Sequence, residues 1–190
     1  IWLMVAAFCL HLQPSLQAAE TEVEANAKTP DFQETKTAAE DGDAEAQYRM
    51  GFFHLNAVGR QKHVRNAVEW MTKAAEQDFA KAQWVLGQLY SHDEELPRNY
   101  KKAFHWLSKA AEQDAPEAKA LLAQLYANGL GVEKNAKRAL ALFEEAAEAG
   151  VVQALHVLGN VYFEGLLDVE KDADRAAGFY RKAAAKNHPA

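Results

Sequence analysis

At 190 residues the chain has the length of one domain, and its 49% hydrophobic content is enough to build a continuous core. A formal charge of −6, with acids and bases interspersed, leaves no basic footprint and excludes nucleic acid as an expected partner. The lone cysteine, Cys9, excludes a disulfide framework.

Residues 1–19 stand apart from the rest. Ile1 to Leu10 is an apolar run too short to span a bilayer, and Pro14-Ser15-Leu16-Gln17-Ala18-Ala19 follows it. The pattern is that of a secretory signal peptide, with cleavage expected after Ala18 or Ala19 and a charged start expected upstream of Ile1. A buried core helix is the alternative reading; a lipoprotein anchor would need a small residue before Cys9, where Phe8 stands. Cleavage would remove the only thiol and leave no stable membrane span. Residues 20–34 are polar and unpatterned, and they read as a flexible tether.

From residue 35 to residue 188 one pattern recurs. Ala46, Ala82, Ala118 and Ala154 stand 36 residues apart. Four residues later come Met50, Leu86, Leu122 and Leu158, then Gly51, Gly87, Ala123 and Gly159. Tyr90, Tyr126 and Tyr162 complete three of the copies, with His54 in the first. The apolar offsets are helical, and the small residue implies close helix–helix approach, since a mid-helix glycine otherwise costs ~1 kcal/mol against alanine. A second amphipathic helix follows in each copy, around Ala67–Ala75, Ala103–Ala111, Ala139–Ala147 and Ala176–Ala184. Trp106 is expected in the core of the second of these.

Two kinds of turn join the helices. Between copies the turn is short, with Asp78, Asp114 or Gly150 fitting a left-handed helix end and Pro116 opening the next helix. Within a copy it is longer and more variable. Asn128-Gly129-Leu130-Gly131-Val132 is the best formed, and Asp168 stands where the fourth copy lacks its second glycine. Ala38 and Ala39, in phase with Ala74 and Ala75, make residues 35–43 a half-unit cap. Full units are expected at about 44–79, 80–115, 116–151 and 152–188. A fixed period in this range means stacked supersecondary units.

These residues resemble the Sel-one-like repeat family, relatives of tetratricopeptide repeats. Its pattern A-x-x-x-L-G-x-x-Y-x-x-G-x-G-V, then K-A-x-x-W-[YL]-x-K-A-A-E-x-G, is matched by Ala118, Leu122, Tyr126, Gly129, Gly131 and Val132 in unit three. Unit two matches it with Ala82, Leu86, Gly87, Tyr90, Ala103, Trp106, Lys109, Ala110 and Ala111. The resemblance implies an all-α, right-handed α-solenoid of four helical hairpins with a 36-residue period. It also implies a protein-interaction scaffold, often in bacterial envelope or signalling contexts. With the N-terminal segment, this makes the expected location exported, periplasmic or secreted.

The chemistry-bearing residues point away from catalysis. Ser91 and Ser108 are the only serines past the leader, and neither lies in Ser-x-x-Lys or Gly-x-Ser-x-Gly. His-Glu-x-x-His, a Walker loop and a dinucleotide fingerprint are absent from the sequence. His92-Asp93-Glu94-Glu95 lacks metal-ligand spacing and reads as a solvated acidic turn, so no metal and no cofactor are expected.

The variable positions carry the better signal. Slots +2 and +6 of the first helices hold Tyr48 and Phe52, Trp84 and Gln88, Ala120 and Gln124, and His156 and Asn160. Four residues apart, both slots project from one face, which in a stacked array lines the concave groove. The expected partner-binding residues are therefore Tyr48, Phe52, Trp84, Gln88, Gln124, His156 and Asn160, with the three aromatics forming an exposed patch for a protein or peptide. Packing of those aromatics between units is the competing reading. Two other functions remain open. One is a β-lactam-binding or hydrolase-like protein, as the resemblance to cysteine-rich relatives implies, although their cysteine pairs are missing here. The other is a purely structural spacer.

Overall fold

The computed structural model describes residues 32–55, 64–92 and 96–187; the expected signal peptide at 1–19, and residues 20–31 of the expected tether, lie outside them. Among the described residues every regular element is an α-helix. They are α1 Phe32–Glu40, α2 Ala44–Leu55, α3 Val64–Glu76, α4 Ala80–His92, α5 Tyr100–Glu112, α6 Pro116–Asn128, α7 Ala136–Glu148, α8 Val152–Glu164 and α9 Ala173–Asn187. Helices α2 and α3, α4 and α5, α6 and α7, and α8 and α9 pair as hairpins, and each second helix packs on the first helix of the next pair. Helix α1 packs on α2 as the half unit. The chain is an all-α repeat solenoid.

The small residue at the centre of each first helix sets the hairpin spacing. A Cβ added to Gly51 would stand 2.7 Å from Met71 Cε, and one added to Gly159 would stand 2.5 Å from Tyr180 Cε1. At Gly87 it would collide with Leu107. Met71 and Leu107 are fully buried, so the large residue that fills the hairpin is the one after the tryptophan slot. Trp106 itself is only half-buried, contrary to the sequence expectation. One residue is 100° of helical rotation, which carries Trp106 to the rim, where Lys109 Nζ lies 5.8 Å from its ring centre. Trp70 is half-buried under Lys73 in the same way.

Both kinds of turn repeat their hydrogen bonds. In the short turns the N–H groups of Asp43, Phe79, Ala115 and Val151 donate to the carbonyls of Ala38, Ala74, Ala110 and Ala146, closing each helix end. The residue before each donor in this series, Gly42, Asp78, Asp114 or Gly150, has positive φ. In the long turns of units two to four, Asn99, Asn135 and Asp172 each do two jobs. Their N–H groups donate to the carbonyls of Tyr90, Tyr126 and Tyr162 at 2.8–2.9 Å. Their side chains accept from the N–H groups of Lys102, Arg138 and Arg175, capping the second helix. Those same three cations sit over the three tyrosine rings at 5.0, 5.0 and 4.3 Å. Gly131 (φ 71°) lies against the Tyr100 carbonyl at the start of α5, and Leu167 and Asp168 are both left-handed in the longer turn of unit four.

The joints between units differ. Gln47 donates to the Ala39 carbonyl and accepts from Gln77, while Gln83 donates to the Ala75 carbonyl and accepts from Gln113. At the next joint Lys119 holds Asp114 and Glu145, each at 2.8 Å. Leu155 fills the last, buried. At the N-terminal end, α1 starts at Phe32, so residues 32–34 are helical where a tether was expected. The Phe32 ring meets Phe53 edge-on at 5.5 Å, and this contact carries the helix back three residues.

Candidate functional site

Helices α4 and α6, the first helices of units two and three, touch directly across successive units. Helix α4 is enclosed by its neighbours and buries nine of its 13 residues. The +2 and +6 slots belong to this crowded side, and that decides their exposure.

Tyr48 and Phe52 are buried, so they form no exposed aromatic patch. Their rings meet edge-on at 4.8 Å, and Tyr48 also packs at 5.2 Å on Phe79 from the turn into unit two. They fill the joint between units one and two. Trp84 is half-buried, Gln88 is 7% exposed, and Gln124 on α6 is half-buried. His156 and Asn160 are exposed on α8. They belong with Tyr180 rather than with the α4 residues: the Tyr180 hydroxyl donates to Asn160 Oδ1 at 2.6 Å, and its ring centre is 6.4 Å from that of His156. Burial raises the Tyr180 pKa, helped by Glu164.

The structure adds His92 to the candidate residues. Trp84, Gln88 and His92 stand at i, i+4 and i+8 of α4, on one face and about 6 Å apart along the axis. Trp84 Nε1, Gln88 Oε1 and His92 Nδ1 are all buried without a hydrogen-bond partner. Burial, and secondarily the nearby Arg98 charge, lower the His92 pKa, which keeps the imidazole neutral at pH 7. The sequence signal for His92 was its +10 position in unit two, masked by the acidic residues after it. The other described residues of this face in units one to three are Tyr48, Phe52, Ala120, Gln124 and Asn128. None carries formal charge. Among the described residues no group of histidine, cysteine or carboxylate side chains could hold a metal ion, and no helix is long and apolar enough to cross a membrane. Phe163 is 56% exposed near the end of α8, with the exposed Leu166 just beyond it.

Comparison with known proteins agrees with this architecture. The family model for the Sel1 repeat matches residues 44–79, 80–114, 116–151 and 152–188. A protective antigen of uropathogenic Escherichia coli strains, described as displaying an SLR fold, is similar at 33% identity and TM-score 0.76, over 84% of this chain and 34% of that one. A Sel1 repeat protein from Oxalobacter formigenes is similar at 35% identity and TM-score 0.75, over 82% of this chain and 61% of that one. A putative Sel1 repeat protein from Klebsiella pneumoniae shares the fold at 23% identity and TM-score 0.62, over 81% of this chain and 73% of that one. The chain thus spans about a third of the first relative and three-fifths of the second. No curated protein matches it. Repeats of this kind generally serve as protein–protein interaction scaffolds rather than as enzymes. Four in-phase repeats, hairpins closed on central small residues and the family match lead to one conclusion: the chain belongs to the Sel1 repeat family.

Proposed function

We propose that the chain is a non-catalytic adaptor of the bacterial cell envelope, holding a protein partner along the inner face of its first helices. One observation carries this reading: three desolvated polar atoms without partners lie in a row on α4, in a face that is otherwise aromatic or neutral polar. Leaving a buried polar group unpaired costs about 1–3 kcal/mol, and folded proteins seldom retain such groups without a reason. Trp84 and His92 are half-buried as residues, so a partner whose docking turns their side chains outward pairs these atoms and recovers that cost. The composition of residues 1–19 supports export, and the bacterial sources of the similar structures support a bacterial origin.

Affinity purification of tagged residues 20–190 from a bacterial envelope fraction tests the adaptor role, with Trp84→Ala and the outward-facing Lys137→Ala compared side by side. Partner capture should fall at least tenfold for Trp84→Ala and stay unchanged for Lys137→Ala. Equal capture by both variants would refute binding through this face and favour a structural spacer. Export is tested by N-terminal sequencing, which should read from near Ala19 or Glu20. Recovery of the uncleaved chain alone, in the cytosol, would refute it.

A further inference from the structure

We propose that copies of this chain stack head to tail, the bare C-terminal face of α8 and α9 in one copy receiving α1 of the next. The surfaces involved are the two ends of the array, apart from the α4 face. Slots +2, +6 and +9 of a first helix stand at i, i+4 and i+7 and share one side. In units one to three the residues there, from Tyr48, Phe52 and Leu55 to Ala120, Gln124 and Ala127, are all buried or half-buried. In unit four His156, Asn160 and Phe163 are all exposed. On α9, Ala184 is exposed where Ala75 and Ala147 are buried. Arg181 holds the slot in which Glu144 accepts from the Tyr162 hydroxyl of the following unit. A surface that each earlier unit covers with its successor is thus open here.

The opposite end of the same chain carries a matching surface. The exposed large hydrophobics among the described residues are Phe163 and Leu166 at the C-terminal end and Phe32 at the N-terminal end. Successive helices alternate in direction and α1 is in phase with the second helices, so Phe32, at its start, lies on the long-turn edge of the array. Phe163 and Leu166, at the end of α8 and just beyond it, lie on that same edge. Stacking that continues the array brings the three side chains together and takes them out of water. The charges match as well. Helix α9 carries Arg175, Arg181, Lys182 and Lys186 against Asp174 alone. Residues 32–45 carry Glu34, Glu40, Asp41, Asp43 and Glu45 against Lys36 alone. Among the described residues no base of α9 is paired with a carboxylate. Head on head or tail on tail would oppose like charges, which leaves the heterologous contact. Each copy then accepts one neighbour at either end, and stacks grow with concentration.

The test follows the mass of the protein from residue 20 to 190 by sedimentation velocity, at concentrations up to about 1 mM because the end faces are small. The weight-average mass should rise with concentration at about 0.02 M salt. It should return to that of the monomer at about 0.5 M, where the screening length falls to roughly 4 Å. Arg181→Glu/Lys182→Glu reverses the tail and Glu34→Lys/Asp41→Lys reverses the head, and each variant alone should associate at least about tenfold more weakly. Mixed in equal amounts the two should associate again, because a native head then meets a native tail and a reversed head a reversed tail. Phe163→Ser should weaken association at least about fivefold with helical circular dichroism unchanged, and it decides the matter if a charge variant does not fold. A monomer at every concentration, or association that survives high salt and both charge variants, would overturn head-to-tail stacking. So would folded variants that fail to recover on mixing. Partner capture through Trp84 is a separate measurement, since none of these substitutions touches α4.

Discussion

Gly129 and Gly131 lie in one turn with nearly the same backbone conformation, φ 69° and 71°, yet their surroundings differ. An alanine at either position must hold a left-handed conformation, at a cost of about 1–2 kcal/mol. At Gly129 the new Cβ would meet Lys134 Cβ at 3.3 Å, a contact relieved when the exposed turn gives by a few tenths of an ångström. At Gly131 it would strike the carbonyl of Tyr100, with Lys101 N at 2.8 Å, and backbone at the start of a helix cannot step aside. Crowding of that kind adds about 1–3 kcal/mol. The conformational cost, and the entropy alanine removes from the unfolded chain, cancel between the two variants. Gly131→Ala should therefore be less stable than Gly129→Ala by about 1–3 kcal/mol, or roughly 2–12 °C in Tm for a domain of this size. Thermal unfolding followed by circular dichroism at 222 nm measures the difference. Equal midpoints would refute the docking of this turn on α5.

Leu107→Ala, which empties a fully buried site, should lower stability by about 2–5 kcal/mol in urea denaturation, and Trp106→Ala at the rim by clearly less. Gln83→Leu would remove two hydrogen bonds of a fully buried side chain, while the Ala75 carbonyl keeps the Asp78 N–H and the exposed Gln113 amide turns to water; at about 0.5–1.5 kcal/mol per bond it should cost about 1–3 kcal/mol, and a stabilised variant in the same assay would contradict that role. His92 is held neutral by burial, so its pKa in the fold lies below that of the unfolded chain. Its contribution to stability is complete above about pH 6.5 and is lost as the pH falls from there through the folded pKa. The Tm should drop between pH 7.5 and 5.5, and drop less in His92→Gln; an identical pH profile for both would rule out His92 as a source of the dependence.

The fold was readable because each unit solves the same packing problem with the same residues. Ala46 and its three equivalents, the small residue five positions on, and Asp78, Asp114 and Gly150 in the short turns all sit where a 36-residue period puts them. The face was harder to read. Periodicity says which slots share a side of a helix, but not how deeply the neighbouring units enclose that side. Tyr48 and Phe52 looked available because their slots vary, and they are buried because Phe79 from the next turn packs onto Tyr48 and Tyr48 onto Phe52. Trp106 looked buried because it is large and recurrent, and it lies one residue off the contact line. His92 could have been found by extending the same offsets one turn further. That its imidazole lacks a partner is a property of three-dimensional packing alone.

The unequal joints bear on how such an array can change its number of units. Stability in a stacked array is close to a sum of unit and nearest-neighbour terms, so removing a unit succeeds where the two newly apposed surfaces suit each other. Excision of residues 80–115 would bring Lys119 beside Asp78, which occupies the slot of Asp114 and has the same left-handed φ of 59°. The cation would keep a carboxylate at the same sequence spacing, and Glu145 would remain its second partner. Excision of unit three would instead set Leu155, buried and apolar, against the Asp114 turn, whose carboxylate now meets the Lys119 cation. Copy number in this chain is therefore free to change at unit two and constrained at unit three, although the two backbones are nearly the same.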